Sequence, residues 1–316
     1  MRGWVNRFLS DEEGVLLAAL LIVSVIVIVT MGTVLAPLLT GIVLAYVMQG
    51  AIKSMERFQI PKGLAVSITF VIFMGFFLSL LFFVIPRVWR QLQSLFQNIP
   101  SMVERTRELL SELPLNYPEF VSEQQVTSWI ELLNGESAEL GQWLLSFSLS
   151  QLPLLVAVAV YIMLVPLLVF FILKDQQQIL AWCSSYLPRE KPLLDRIGRE
   201  MDEQMANYIR GKVIEIIIVG GASFIFFQVM GLEYAALLGF LVGLSVIVPY
   251  VGFVAVTFPV LIIAYLQFGW GADFITILIG YSIIQGIDGF FIVPLLFSEA
   301  VNLHPIAIIT AVLVFG

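Results

Sequence analysis

Five carboxylates, Glu215, Glu233, Asp273, Asp288 and Glu299, lie in a stretch of 104 residues, Val213 to Gly316, that holds no lysine or arginine. Acids in an apolar stretch without cations lack a local counter-charge, and in a bilayer such groups serve protons, cations or polar solutes. Asp288 stands out, because Ile283, Ile284 and Ile287 precede it and Phe290 to Val293 follow it. Gln285, three residues earlier, shares its helical face, so the two form a polar strip suited to a small solute, a monovalent cation or a proton. Glu215 follows Lys212 by three residues at a membrane edge, where an interfacial ion pair competes with a place on an ion pathway. Glu233 and Asp273 fall in short turns and read as solvated. Glu299, Asn302 and His304 make a further polar cluster that a loop explains equally well.

Other chemistries lack their residues. No glycine-rich loop ends in Lys-Ser or Lys-Thr, so built-in ATP hydrolysis is not expected, and the single histidine, His304, cannot build a histidine metal site. The one cysteine, Cys183, gives neither a disulfide framework nor a thiolate cluster within one chain. The expectation is a protein that is not an enzyme and carries no cofactor or resident metal, with at most a transient sodium ion at Asp288. The net charge of −7 argues against nucleic acid as a partner.

These residues need a frame, and composition specifies its solvent. Hydrophobic residues make up 59% of the chain and charged ones 12%, against about 25% charged in a soluble domain, so the chain is expected to be an all-α, polytopic membrane protein in contact with a lipid bilayer. Apolar runs of spanning length occur at about 15–35, 36–52, 64–86, 152–173, 213–230 and 274–297, with a more broken run at 235–268. The first is too long, and lacks the small-residue cleavage site, for a signal peptide. Residues 1–14, 53–63 and 174–212 carry 12 of the 16 cations, which favours a cytoplasmic N-terminus and an external segment at 87–151. The predicted organisation is three spans in 1–86, an extracytoplasmic helical segment at 87–151, a fourth span at 152–173, a cytoplasmic amphipathic segment at 174–212 that runs along the inner surface before the fifth span, and a C-terminal bundle at 213–316. In the external segment Val88, Leu92, Leu95 and Phe96, and later Val126, Trp129, Ile130 and Leu133, repeat at helical spacing. Such narrow stripes must cover something; a neighbouring subunit is the expectation, with intrachain packing the alternative. The cation-free bundle 213–316 is expected to move against a scaffold made of the first spans and the external helices.

The broken run places the candidate pathway. Ala235 to Val248, roughly 21 Å as a helix, is short for a ~30 Å hydrocarbon core, and Pro249-Tyr250-Val251-Gly252 then permits a sharp turn. Such a break is tolerated where it is buried in protein or lines a wet cavity, so 235–268 reads as re-entrant or as two tilted spans. Gly239 and Gly243, four apart, form a face for close helix approach. Ile292-Val293-Pro294 echoes Ile247-Val248-Pro249, and paired interruptions of this kind point to a transporter's binding region.

The same residues resemble a known family. Ile247-Val248-Pro249-Tyr250-Val251-Gly252 is similar to the Ile-Pro-Tyr-x-Gly signature of the autoinducer-2 exporter (AI-2E) family of bacterial permeases, and Leu303-His304-Pro305 to its Leu-His-Pro element. Tyr208-Ile209-Arg210-Gly211-Lys212, Lys174-Asp175, Leu187-Pro188, Ala45-Tyr46 and Ile60-Pro61-Lys62 follow the family's order. The resemblance implies a permease of the bacterial inner membrane with about eight spans, a homo-oligomer for which pentamers are described, and export of a small hydrophilic signalling molecule; some relatives resemble sodium/proton antiporters. It carries Pro249, Tyr250, Gly252, Arg210, Gly211, Asp288, His304 and Pro305 onto motif positions. Relatives continue past the Leu-His-Pro element with a glycine-rich span, so the last span of the seven or eight is expected to be incomplete at Gly316. The predicted pathway therefore comprises Asp288, Gln285, Pro249, Tyr250, Gly252, Pro294, His304, Pro305 and Glu215. Two alternatives remain at this level: an antiporter using Asp288, and a scaffold that transports nothing.

Overall fold

The computed structural model describes residues 12–116, 124–126, 128, 151–188, 191–248 and 251–296. Among these there is no strand. The helices are α1 (Glu12–Arg57), α2 (Lys62–Ser79), α3 (Ile85–Asn116), α4 (Gln151–Ser185), α5 (Pro192–Val229), α6 (Ala235–Ser245), α7 (Val251–Phe268) and α8 (Ala272–Ile287). A π-helical turn at Leu80–Val84 joins α2 to α3, and a second, Asp288–Ile292, continues α8. Among the described residues six helical stretches are long and apolar enough to cross a membrane, whereas α6, at 11 residues, is too short to cross alone. Their outer faces stay apolar and uncovered: Val229 is 79% exposed and Met163 77%. Lipid is the solvent that accepts such a surface, and the protein is a polytopic helical membrane protein.

The described residues form two compact units, one drawn from 12–77 and 158–213, the other from 78–157 and 214–295. In the first, Ala45, Met48 and Ile52 of α1 share a buried core with Ala65 and Val66 of α2 and Val165 and Val169 of α4. At Gly41 an added Cβ would meet Leu168 Cβ of α4 at 3.1 Å, so a larger residue would push the helices apart. The apolar runs at 15–35 and 36–52 belong to one helix, with Pro37 inside it. Both arms of that helix meet α5: Glu13 Oε2 accepts the Leu193 and Leu194 amides at 2.9 and 3.3 Å, and Tyr46 Oη donates to Asp202 Oδ1 at 2.7 Å. A straight helix would hold Glu13 and Tyr46 about 50 Å apart, while Leu193 and Asp202 are only about 14 Å apart along α5, more than side chains can bridge. α1 is therefore bent, and Pro37, which lacks an amide proton and crowds the carbonyl four residues back, is the residue able to bend it.

The segment expected to be cytoplasmic and the fifth span share one helix, α5, from Pro192 to Val229, with no proline inside. A change of direction comes earlier, in α4 at Asp175 (φ −103°, ψ 16°).

In the second unit, the end of α5 and the helices α6, α7 and α8 fold in sequence against each other. Gly220 of α5 faces Gly243 of α6, and a Cβ on Gly239 would fall 2.6 Å from Phe224 Cβ, so the backbones approach as only glycine allows. The pairings 224 with 239 and 220 with 243 make α5 and α6 antiparallel. At the α6–α7 turn a Cβ on Gly252 would overlap the Ser245 carbonyl. Gln267 spans the other end, with its Oε1 accepting the Glu233 amide and its Nε2 donating to the Gly231 carbonyl, both at 2.8 Å. These contacts make α7 antiparallel to α6, and Tyr265–Phe274 with Thr257–Tyr281 make α8 antiparallel to α7.

The stripe on α3 has contacts within its own chain. Val88, Leu92 and Leu95 of that stripe, with Met102, pack, partly buried, on the core of their own unit, which includes Val242, Val260 and Ile277, the intrachain alternative at these positions. Polar residues fix the seat. Gln91 Oε1 accepts the Leu237 amide in the first turn of α6, and Asn98 Nδ2 donates to Tyr234 Oη, each at 2.8 Å. Tyr234, with φ of 58°, is a left-handed residue carrying a large side chain, and the Asn98 bond helps hold it there. Of the later stripe, Val126 is buried, while Trp129, Ile130 and Leu133 lie outside the described residues.

Candidate functional site: a polar strip between α5 and α8

On α5 the residues Glu215, Val219 and Ser223 follow at four-residue intervals and are 1%, 1% and 0% exposed. One face of this helix is thus fully covered, yet two of its three residues are polar. On α8 and the π turn after it, Tyr281, Gln285 and Asp288 share one face in the same way; Tyr281 is 1% and Asp288 8% exposed. The two helices touch where Phe226 fills the space beside Gly280 and the Phe227 ring lies 5.9 Å from the Tyr281 ring. A Cβ on Gly280 would come within 2.7 Å of Phe226 Cε2.

Because α5 and α8 are antiparallel, levels can be counted from that contact. Ser223 and Gln285 each stand four residues away, at about the same depth. Asp288 lies about 4–5 Å beyond them and Glu215 about 12 Å beyond, on the same side, at 1.5 Å per residue. The strip thus runs through the apolar interior with a carboxylate on each helix at its far end and the Tyr281 phenol at its near end. Thr257 Oγ1 of α7 and Tyr281 Oη are hydrogen-bonded at 3.2 Å, and either hydroxyl can donate. Gln285 reaches toward the same phenol, but its buried Nε2 completes no hydrogen bond of standard geometry. Ser223 Oγ is buried without a hydrogen-bond partner. Buried hydroxyls and amides are nearly always bonded, so these groups present hydrogen-bonding capacity to whatever enters.

Asp288 owes its position to the π turn. The Val293 amide bonds back to the Asp288 carbonyl, five residues, and this wider turn makes room ahead of Pro294. A proline in regular α-helix would crowd the carbonyl four residues back. Pro294 itself is fully buried, and the chain remains helical through it to Leu296, so the irregularity stands one turn earlier than the proline suggests. Gly252 is at the start of α7, against Ser245, whose Oγ donates to the Val242 carbonyl at 2.7 Å. Its contact is with the helix turn rather than with the strip. Pro249, Tyr250, His304, Pro305, Glu299 and Asn302 lie outside the described residues.

The structure therefore brings Asp288, Gln285 and Glu215 into one strip and adds Ser223, Thr257 and Tyr281, which sequence reasoning passed over. The four-residue spacing of Glu215 and Ser223 through Val219, and of Tyr281 and Gln285, was the available signal. No group of three or more His, Cys, Asp or Glu side chains able to hold a metal ion is present among the described residues.

Buried polar and acidic groups among apolar helices mark routes for solutes or ions in membrane proteins. Residues 16–316 match the model of the AI-2E family transporters. The chain belongs to the AI-2E transporter family. This AI-2E chain is 40% identical over 313 residues to PerM of Escherichia coli (strain K12), which carries the name of a permease; the match covers 99% of the chain and 89% of PerM. It is 26% identical over 296 residues to YueF of Bacillus subtilis (strain 168), named a transport protein, covering 89% of the chain and 77% of YueF. YrrI of the same organism, also named a transport protein, is 24% identical over 291 residues, covering 90% of the chain and 80% of YrrI.

Proposed function

We propose that this AI-2E family chain is an oligomeric permease that exports a small hydrophilic solute of the autoinducer-2 type, along the strip formed by Glu215, Ser223, Gln285 and Asp288. The observation that carries the reading is the burial of two carboxylates, Glu215 and Asp288, on helix faces that also carry Ser223, Gln285 and Tyr281. Carboxylates at membrane depth characteristically face a protein interior or a polar path and mark routes for solutes, ions or protons. Pro249, Tyr250, Gly252, Pro294, His304 and Pro305 complete the proposed path through the family motifs. The assembly is a homo-oligomer in the bacterial inner membrane with a cytoplasmic N-terminus. The bend in α1 supports that topology, since it returns Tyr46 and Gln49 to the side of Glu13: Gln49 Nε2 donates to Gln176 Oε1 at 3.1 Å, in the cation-rich segment.

The same two acids favour a second reading, exchange of sodium for protons at Asp288. Purified protein in sealed vesicles separates the two. If Asp288→Asn abolishes dissipation of an imposed sodium or proton gradient, coupled exchange holds. If solute leaves wild-type and Asp288→Asn vesicles at equal rates with no gradient effect, the protein is an uncoupled exporter and Asp288 is structural. Failure of wild type to move any solute or ion would overturn both.

A further inference from the structure

Two adjoining cavities, of about 330 and 680 Å³, open between α3 and the end of the α6–α7 pair, and both are lined by Asn98 and Glu233. The smaller also has Arg90, Ser94 and Tyr234 in its wall; the larger has Arg105, Glu108 and Gln267. Glu104, another lining residue, is already engaged by Arg107 at 2.7 Å. Arg90, Arg105, Glu108 and Glu233 form no ion pair among the described residues. The wall thus presents two positive and two negative side chains, with hydrogen-bonding residues between them. Its frame is fixed beforehand, since Asn98 is held by Tyr234 and Gln267 by both Gly231 and Glu233. A fixed frame lowers the ordering cost of binding.

We infer that this double cavity binds a zwitterion, a molecule carrying an ammonium and a carboxylate or phosphate a few bonds apart. Each cavity pairs opposite charges, Arg90 with Glu233 in the smaller and Arg105 with Glu108 and Glu233 in the larger, so an anion or a cation alone meets a like charge in either, while a guest with both charges satisfies one such pair. Arginine suits the acidic end because its planar fork donates two parallel hydrogen bonds to a carboxylate or phosphate, and a glutamate accepts from the ammonium. The inference rests on the permease reading and gives its solute a chemical class, placing a collecting site at the end of the bundle remote from Asp288. Two sources offer this chemistry: free amino acids, and the headgroup of phosphatidylethanolamine.

The test is binding by the full chain in lipid nanodiscs, read as the shift in unfolding temperature, so it does not depend on flux. In discs of phosphatidylglycerol, neutral amino acids are compared with glycine's singly charged analogues, acetate and methylamine. Discs containing phosphatidylethanolamine make the second arm. Stabilisation by amino acids but by neither analogue identifies a free solute; stabilisation only in phosphatidylethanolamine discs identifies the headgroup. Arg90→Gln and Glu233→Gln should each weaken either response about tenfold or more, the ordinary cost of losing a charge-assisted contact. Gly221→Ala, where an added Cβ meets no atom within 4 Å, should leave it unchanged. No response in either arm, or equal responses to acetate, methylamine and glycine, would overturn the inference. Vesicles that still export a solute would then leave the permease reading standing.

Discussion

At the scale of single residues, the strip is an arrangement of groups that a bilayer protein retains at a cost. The Thr257–Tyr281 hydroxyl pair closes the near end and ties α7 to α8. Hydrogen bonds between membrane helices contribute about 0.5–1 kcal/mol each. Thr257→Val and Tyr281→Phe should therefore lower stability by similar amounts, and the double variant by little more than either. Reversible thermal or denaturant unfolding in detergent measures this coupling; full additivity would mean that the two hydroxyls do not interact. Ser223→Ala, by contrast, removes a hydroxyl with no hydrogen-bond partner among the described residues. It should leave unfolding nearly unchanged while altering solute or ion flux, a combination that a purely structural serine would not produce.

At the scale of elements, the contact of α5 with α6 depends on three glycines, but not every glycine on α5 is equivalent. Gly239→Leu places a side chain where Phe224 already stands, and overpacking of this kind costs about 1–3 kcal/mol. A Cβ added at Gly221 would meet no atom within 4 Å, so Gly221→Ala should be neutral or stabilise by up to about 1 kcal/mol. Unfolding temperatures of the two variants check the contrast. The interhelical spacing was legible from Gly239 and Gly243 in the sequence, whereas the partner Gly220 was not, because a glycine's value depends on what faces it. The expected grouping of the external helices with the first spans fails in the same way. α3 belongs to the compact unit that contains residues 214–295, held there by Gln91 and Asn98.

At the scale of the whole molecule, orientation follows from cations and can be tested with the native thiol. Cys183 is the only cysteine and is exposed. With the proposed topology it faces the cytoplasm, so a membrane-impermeant maleimide should label it in permeabilised cells but not in intact ones. A cysteine placed at Ser111 in a Cys183→Ser background should show the opposite pattern. Labelling of Cys183 in intact cells would reverse the orientation.

The sequence by itself determined the solvent and the helical class, and it singled out the acids of the cation-free stretch. Apolar length and the absence of cations are properties of composition along the chain, and no folding changes them. It also marked α6 as short and the region after it as a turn. Only the tertiary structure decided that Glu215 and Asp288 share one strip with Ser223, that the α3 stripe packs on its own chain, and that α1 bends to bring Glu13 and Tyr46 to the same helix. Each of these is a relation between residues distant in sequence, fixed by which helix faces which and at what depth. Local periodicity gives the face that a residue occupies, but not the neighbour across from it.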